Sequence, residues 1–253
     1  MILFSGRGGF KAAMKAVEKH YNAKTFDLED HKDEDFVTIV GVLYATWCVL
    51  SCAAGGTLWL CPDCKTWLSY MSRNTFKRGP SGAHTLGNDA HESVREANNT
   101  AVYSSWLIAV AAFRAVYTAI EQPLNSLMYH HSPLLSTLLM VHARRLTPSL
   151  GAYGAASVKQ LEIYSTLPED LVGKYLSQGK RECTRRFAAE GVHVERLATR
   201  NGKWTTGVRK SMKASREYPA EFGNAIVAIM AEAWQQYHNG NSDPQYYSLG
   251  AHT

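Results

Sequence analysis

The chain has 253 residues, 45% hydrophobic and 19% charged, with 13 Tyr, 6 Trp and a formal net charge of +5. That composition excludes a disordered or low-complexity chain and is enough for the core of one large domain or two small ones. Met1-Ile2-Leu3-Phe4 followed by Gly6-Arg7-Gly8-Gly9 lacks the basic-then-apolar order and long apolar core of a secretory signal, and five cysteines with four clustered suit a reducing cytoplasm.

In chain order, Phe10, Met14, Val17 and Tyr21 recur at helical spacing and predict an amphipathic helix over about 10–21. An acidic loop, 27–35, follows. Residues 36–60 carry no charge. The run is long enough to span a bilayer, but it contains Gly41, Thr46, Ser51, Gly55 and Gly56 and ends at a cysteine pair. A buried strand or helix is expected, and a single-pass membrane protein is the alternative.

Cys48, Cys52, Cys61 and Cys64 fall within seventeen residues. Zn²⁺ takes four soft ligands in a tetrahedron, commonly two from each of two turns. The pattern C-x₃-C…C-x₂-C therefore predicts a structural zinc on these four cysteines, and a mixed site on Cys61, Cys64, His84 and His91 competes with it. A redox C-x-x-C belongs near a βαβ unit, and none is evident around Cys61 in the sequence.

Residues 74–88 read as a loop carrying Lys77, Arg78 and His84. Asp89-x-x-Glu92 has the form of a capping box. It predicts a helix with Val102, Trp106, Ala109, Phe113, Val116 and Ile120 on its apolar face, stopped by Gln122-Pro123. Residues 134–141 are strand or buried helix, and 158–164 are strand-like. Helices are expected from Pro168 to near Gly179, over about 181–189 and over about 219–238. The last of these carries Phe222, Ile226, Ile229, Ala233 and Tyr237 on one face. Asn201-Gly202 predicts a β-hairpin between Val192–Leu197 and Trp204–Val208. The expected fold is α+β and predominantly helical, with an N-terminal zinc-finger region (1–88) and a mainly helical region (89–253).

No nucleophile elbow, P-loop, H-E-x-x-H or Rossmann glycine fingerprint is present; Gly6-Arg7-Gly8-Gly9 lacks the required spacing. No patterned carboxylate stands by a histidine, so no catalytic constellation is legible, although an enzyme with an unpatterned site stays open. Residues 180–218 hold eleven Lys/Arg against four Glu. That local excess is the electrostatic footprint of a phosphate-backbone binder. The candidate nucleic-acid contacts are Lys77, Arg78, Arg144, Arg145, Arg185, Arg186, Arg200, Asn201, Lys203, Trp204, Arg209 and Lys210. Asn201 and Trp204 lie at a hairpin tip suited to a groove.

Leu58-Trp59-Leu60-Cys61-Pro62-Asp63-Cys64-Lys65-Thr66-Trp67-Leu68-Ser69, with Arg73, Arg78, Ser81 and His84, resembles the zinc-finger, large-subunit-like protein of type IV CRISPR effector complexes. The likeness covers about a quarter of the chain, and the first pair departs from that family's C-x-x-C. The resemblance implies a non-catalytic, cytoplasmic subunit that holds the crRNA 5′ end and reads the motif flanking the DNA target. Its implied partners are crRNA, target double-stranded DNA, the other complex subunits and a DinG-like helicase, without a membrane. A stand-alone zinc-containing DNA-binding regulator is the alternative.

Overall fold

Thr57, Leu58, Trp59 and Leu60 are all buried and form β3 (Thr57–Leu60). A strand covered on both faces loses polar alternation and becomes a continuous apolar run. The computed structural model describes residues 35–68, 75–155, 157–191 and 218–240, with the backbone strands β1 (Ile2–Leu3), β2 (Thr25–Phe26), β7 (Arg196–Ala198) and β8 (Trp204–Thr206). The helix expected over 10–21 and the acidic loop over 27–34 lie outside the described residues.

The fold is α+β. One six-stranded sheet has the order β2-β1-β3-β4-β6-β5, where β4 is Tyr117–Pro123, β5 is Arg144–Leu146 and β6 is Leu161–Ser165. β1 runs parallel to β2 and β3, and β3 parallel to β4; β6 is antiparallel to both β4 and β5. The sheet therefore joins strands from both sides of residue 88. The helices are α1 (Ile39–Leu50), α2 (Glu92–Phe113), α3 (Ser132–Met140), α4 (Glu169–Leu176), α5 (Lys180–Glu190) and α6 (Ala220–His238). α1, α2 and α3 bury Ala45, Val49, Leu107, Ile108 and Leu138 with Leu58, Leu60 and Ile120 of the sheet. A second core joins Trp59, Tyr117, Ala119 and Ile163 to Leu171, Phe222, Ile226 and Ile229 of α4 and α6. Residues alternating along β3 and β4 thus feed different cores.

The uncharged run 36–60 divides into α1 and β3, separated by a turn. No helix among the described residues is long and apolar enough to cross a membrane. Thr38 starts α1, its hydroxyl accepting from Gly41 N–H at 3.1 Å. At Gly55 the φ is +77°, and an added Cβ would come within 2.5 Å of the Tyr237 ring. The turn between α1 and β3 therefore requires glycine, so that α6 can pack against it.

Two expectations change. The helix after Asp89 has no capping box: His91 is its N-cap residue, without a side-chain cap bond. It also ends at Phe113, and Tyr117–Pro123 is a strand. The run Val116-Tyr117-Thr118-Ala119-Ile120 is aromatic and β-branched, which favours a strand once Arg114 and Ala115 have turned the chain. Ala115 has φ 53°, and its carbonyl accepts from Gly55 N–H at 2.7 Å. β3, α2 and β4 are therefore a βαβ unit, and Cys61-x-x-Cys64 opens its crossover. α5 ends at Gly191 with φ 64°, α6 buries Phe222, Ile226, Ile229 and Ala233, and β7 and β8 pair antiparallel as expected.

Candidate active site at the carboxyl ends of the central strands

Parallel pairing aligns Leu60 with Ile120. The next residues are Cys61 and Glu121, so a thiol and a carboxyl lie side by side on one face where β3 ends. Glu121 is only 3% exposed. Tyr218, at the entrance to α6, donates its hydroxyl to Glu121 Oε2. Trp59, Tyr218 and Glu121 surround Cys61. Lys159 lies 5.5 Å from the centre of the Tyr218 ring.

The loop after β3 is fixed from the opposite side. Gln122 Nε2 donates to Pro62 O at 2.6 Å, and Gln122 Oε1 accepts from Ser126 Oγ at 3.0 Å. Trp67 N–H donates to Cys64 O at 2.9 Å, and Leu127 N–H to Trp67 O at 2.9 Å. The turn carrying Cys64 is thus bonded to the segment that leaves β4.

Burial raises the Glu121 carboxyl above its ordinary range, partly opposed by Lys159 and by the Tyr218 and Cys61 hydrogen bonds. Burial, then the Glu121 charge, pushes the Cys61 thiol well up. Burial, then Asp63 and Glu121, lifts Cys64 to about 11, against a downward pull from Lys159. The site therefore sets a carboxyl whose protonated form burial favours beside two thiols that burial also favours protonated. An acid whose folded pKa exceeds its unfolded value contributes stability that is fully present below the unfolded pKa, ordinarily 4.5, and lost as pH rises through the raised folded value. Glu121→Gln cannot ionise, so its unfolding free energy should fall less across that window than the wild type's. Denaturant melts at stepped pH check it; parallel curves would mean Glu121 does not titrate. Cys64 should react slowly with iodoacetamide at neutral pH, roughly tenfold faster per pH unit until about 11. Mass mapping of the alkylated peptide reads this directly, and a rate independent of pH would contradict it.

The four cysteines expected to bind zinc are not brought together. Cys48 and Cys52 lie on and just after α1, and Cys52 packs against the core under α1–α3. Cys61 packs against the other core, across the sheet. Cys52 Sγ donates to Cys48 O at 3.4 Å. His84 and His91 are exposed, and His91 meets Phe76 edge-on. Among the described residues no group of three or more His, Cys, Asp or Glu is placed to hold a metal ion, and the five cysteines form no disulfide.

Several expected nucleic-acid contacts bond within the protein. Arg78 is 2% exposed. Its guanidinium donates to Thr85 O at 2.6 Å, Asn98 Oδ1 at 2.8 Å, Thr66 Oγ1 at 3.2 Å and Val94 O at 3.2 Å, and lies 3.5 Å from the Trp67 ring centre. A buried guanidinium whose two terminal nitrogens bond inward does not face a phosphate. Arg186 donates to Gly151 O at 2.6 Å and pairs with Glu190 at 2.8 Å. Arg145 pairs with buried Glu162 at 2.6 Å, and Arg144 with exposed Glu169 at 2.8 Å. Lys77 and Arg185 are exposed. The side chains of Arg200, Asn201, Lys203, Trp204, Arg209 and Lys210 lie outside the described residues.

The order of the parallel strands completes the site's setting. From β1 the chain moves to β2 on one side, then returns to β3 and β4 on the other. The carboxyl ends of β1 and β3 flank this reversal, where open α/β sheets bind ligands. Glu121 was missed in the sequence because it was assigned to a helix end; the strand-like run before Pro123 was the signal for it. Comparison with family models, curated proteins and solved structures finds no match to this chain.

Proposed function

We propose that the chain is a transferase that modifies a base of a nucleic acid, with Cys64 as nucleophile and Glu121 as the acid. The observation that carries it is a buried carboxyl group beside thiols at the carboxyl ends of adjacent central parallel strands. A carboxyl whose protonated form is favoured by burial is equipped to donate a proton or hydrogen bond. Cys61 lies among Trp59, Tyr218 and Glu121, whereas Cys64 stands in the turn, where Lys159 offsets part of the rise that burial, Asp63 and Glu121 impose on its thiol. Cys64 is therefore the nucleophile.

A thiol and an acid together suit addition to a conjugated ring such as a pyrimidine. Cys64 Sγ bonds to the conjugated carbon, the displaced electron pair moves to a ring nitrogen, and that nitrogen takes the Glu121 proton. The thiol proton restores Glu121. The neighbouring ring carbon is then electron-rich and accepts an electrophilic carbon. It next gives up its own proton to water as the C–S bond breaks, and the proton on the ring nitrogen returns to the leaving thiolate; the group that gave up the carbon would depart as a neutral thioether. An adenosine-bearing sulfonium such as S-adenosylmethionine supplies such a carbon. A cofactor of this class is supported by the chain order. Gly6-Arg7-Gly8-Gly9, although without the dinucleotide spacing, is a glycine-rich stretch after β1, and the acidic Asp27 follows β2 about 20 residues on. Both segments lie outside the described residues. Net charge of +5 and the basic excess over 180–218 support a nucleic-acid substrate.

Thermal shift with S-adenosylmethionine, NAD⁺ and ATP in parallel tests the donor. Stabilisation by the sulfonium is expected. Stabilisation by NAD⁺ alone, or by none of the three, overturns the donor assignment.

A second function is the non-catalytic crRNA-guided subunit that the knuckle resemblance implies, favoured by the antiparallel β7–β8 hairpin within the basic segment. There, a zinc ion on Cys61 and Cys64 needs ligands from outside the described residues. Co-purifying small RNA and stoichiometric zinc support this second function; their absence favours the transferase.

A further inference from the structure

α1 packs inward with small residues. Gly41, Ala45, Cys48 and Val49 face the sheet, while its large apolar side chains point outward. Ile39 is 75% exposed and Trp47 60%, with Leu43 exposed between them. On α2 the residues that the sequence marks as a core stripe are the outer ones: Val102, Trp106 and Phe113, the last 88% exposed. Trp106 Nε1 donates to Thr46 Oγ1 at 3.1 Å, which joins the two ridges into one face. These six side chains expose roughly 900 Å², above the ~300–600 Å² of the largest patch on a typical monomer and about the ~800 Å² per partner of a stable interface.

We propose that this face is the two-fold interface of a homodimer, with α1 packed antiparallel against α1 of the second copy. Three observations favour a second copy as the occupant. The area matches what a stable dimer needs. No charged residue occurs between Phe36 and Leu60, so the face meets itself without like-charge repulsion although each chain carries +5. The ends of the face carry opposite charges. Asp35 precedes α1, while exposed Arg114 follows α2 at the α1 carboxyl end, where Gly55 N–H meets Ala115 O. A two-fold axis across α1 sets Asp35 of one copy against Arg114 of the other. This inference is independent of the proposed chemistry.

Sedimentation equilibrium of the full chain at tens of micromolar tests it. The expected mass is twice the 28.1 kDa of one chain. Trp47→Glu and Leu43→Glu should each give monomers with wild-type circular dichroism, because both positions are exposed, and a melting temperature lowered only by the lost association. Leu139→Lys, exposed on α3 outside the face, should leave the dimer intact. Asp35→Arg should weaken dimerisation roughly tenfold, and adding Arg114→Glu should restore it. A monomeric wild type overturns the proposal; the cover is then another protein or a segment of this chain outside the described residues. Dimers that survive Trp47→Glu, or a charge swap that fails to rescue, overturn the assigned face and its antiparallel arrangement.

Discussion

Cys64→Ser is expected to abolish base modification, lowering turnover by roughly a thousandfold or more, because a serine hydroxyl is a far weaker nucleophile without a strong base beside it. Cys61→Ser should lose far less, since Cys61 is held among Trp59, Tyr218 and Glu121 and has no bond-making role. Glu121→Gln should lose roughly a hundredfold, because an amide can hydrogen-bond to the ring but cannot deliver a proton. It should also flatten the alkaline limb of the pH–rate profile, which a merely structural role would not do. Equal losses for both cysteines would instead indicate that they act as a pair, as metal ligands would. Single-turnover rates on a methyl-acceptor oligonucleotide separate these outcomes.

The second large effect concerns folding. Arg78→Met should cost about 3 kcal/mol or more, because it strands the Thr85 and Val94 carbonyls that accept from the guanidinium and removes the stack on Trp67. Burial already lowers the Arg78 pKa to about 10, yet at neutral pH the group stays charged. Arg78→Lys should rescue little, since an ammonium cannot span four acceptors with a planar fork. Trp67 closes the turn that carries Cys64, so loosening it should also slow chemistry in whatever protein remains folded. Urea denaturation measures the first effect. A variant of unchanged stability that has lost nucleic-acid affinity would return Arg78 to phosphate binding.

The amphipathic α6 was legible because its apolar face and its buried face coincide, and α5 because Gly191 ends it in the left-handed region. The β7–β8 hairpin followed from Asn201-Gly202. α2 and β4 were not separable in the sequence. Val102, Trp106 and Phe113 have helical spacing and large apolar side chains, yet the core takes the face of α2 that carries Ala101, Ser104, Leu107, Ile108 and Ala111 and leaves them outside. Periodicity finds a stripe but does not say what covers it. The same inversion in α1 made a bilayer span look plausible. The cysteine cluster was legible as a count but not as a place: α1 and β3 set the two pairs against different cores. Arg78 shows the converse, since a basic residue in a polar loop gives no sequence sign that its charge is buried. The Cys61–Glu121 juxtaposition depends on β3 and β4 pairing across about sixty residues, which local pattern cannot specify.

The central claim is that Cys64 makes a covalent bond to a base while Glu121 supplies the proton. A pyrimidine with fluorine at the carbon that must lose its proton cannot complete release, so the adduct should accumulate. Intact-mass analysis of the protein, incubated with S-adenosylmethionine and DNA or RNA carrying 5-fluorocytosine, reads this directly. The account predicts one oligonucleotide per chain on wild type and Cys61→Ser, and none on Cys64→Ser. No adduct on the wild type with either nucleic acid, or an adduct that persists in Cys64→Ser, would contradict it.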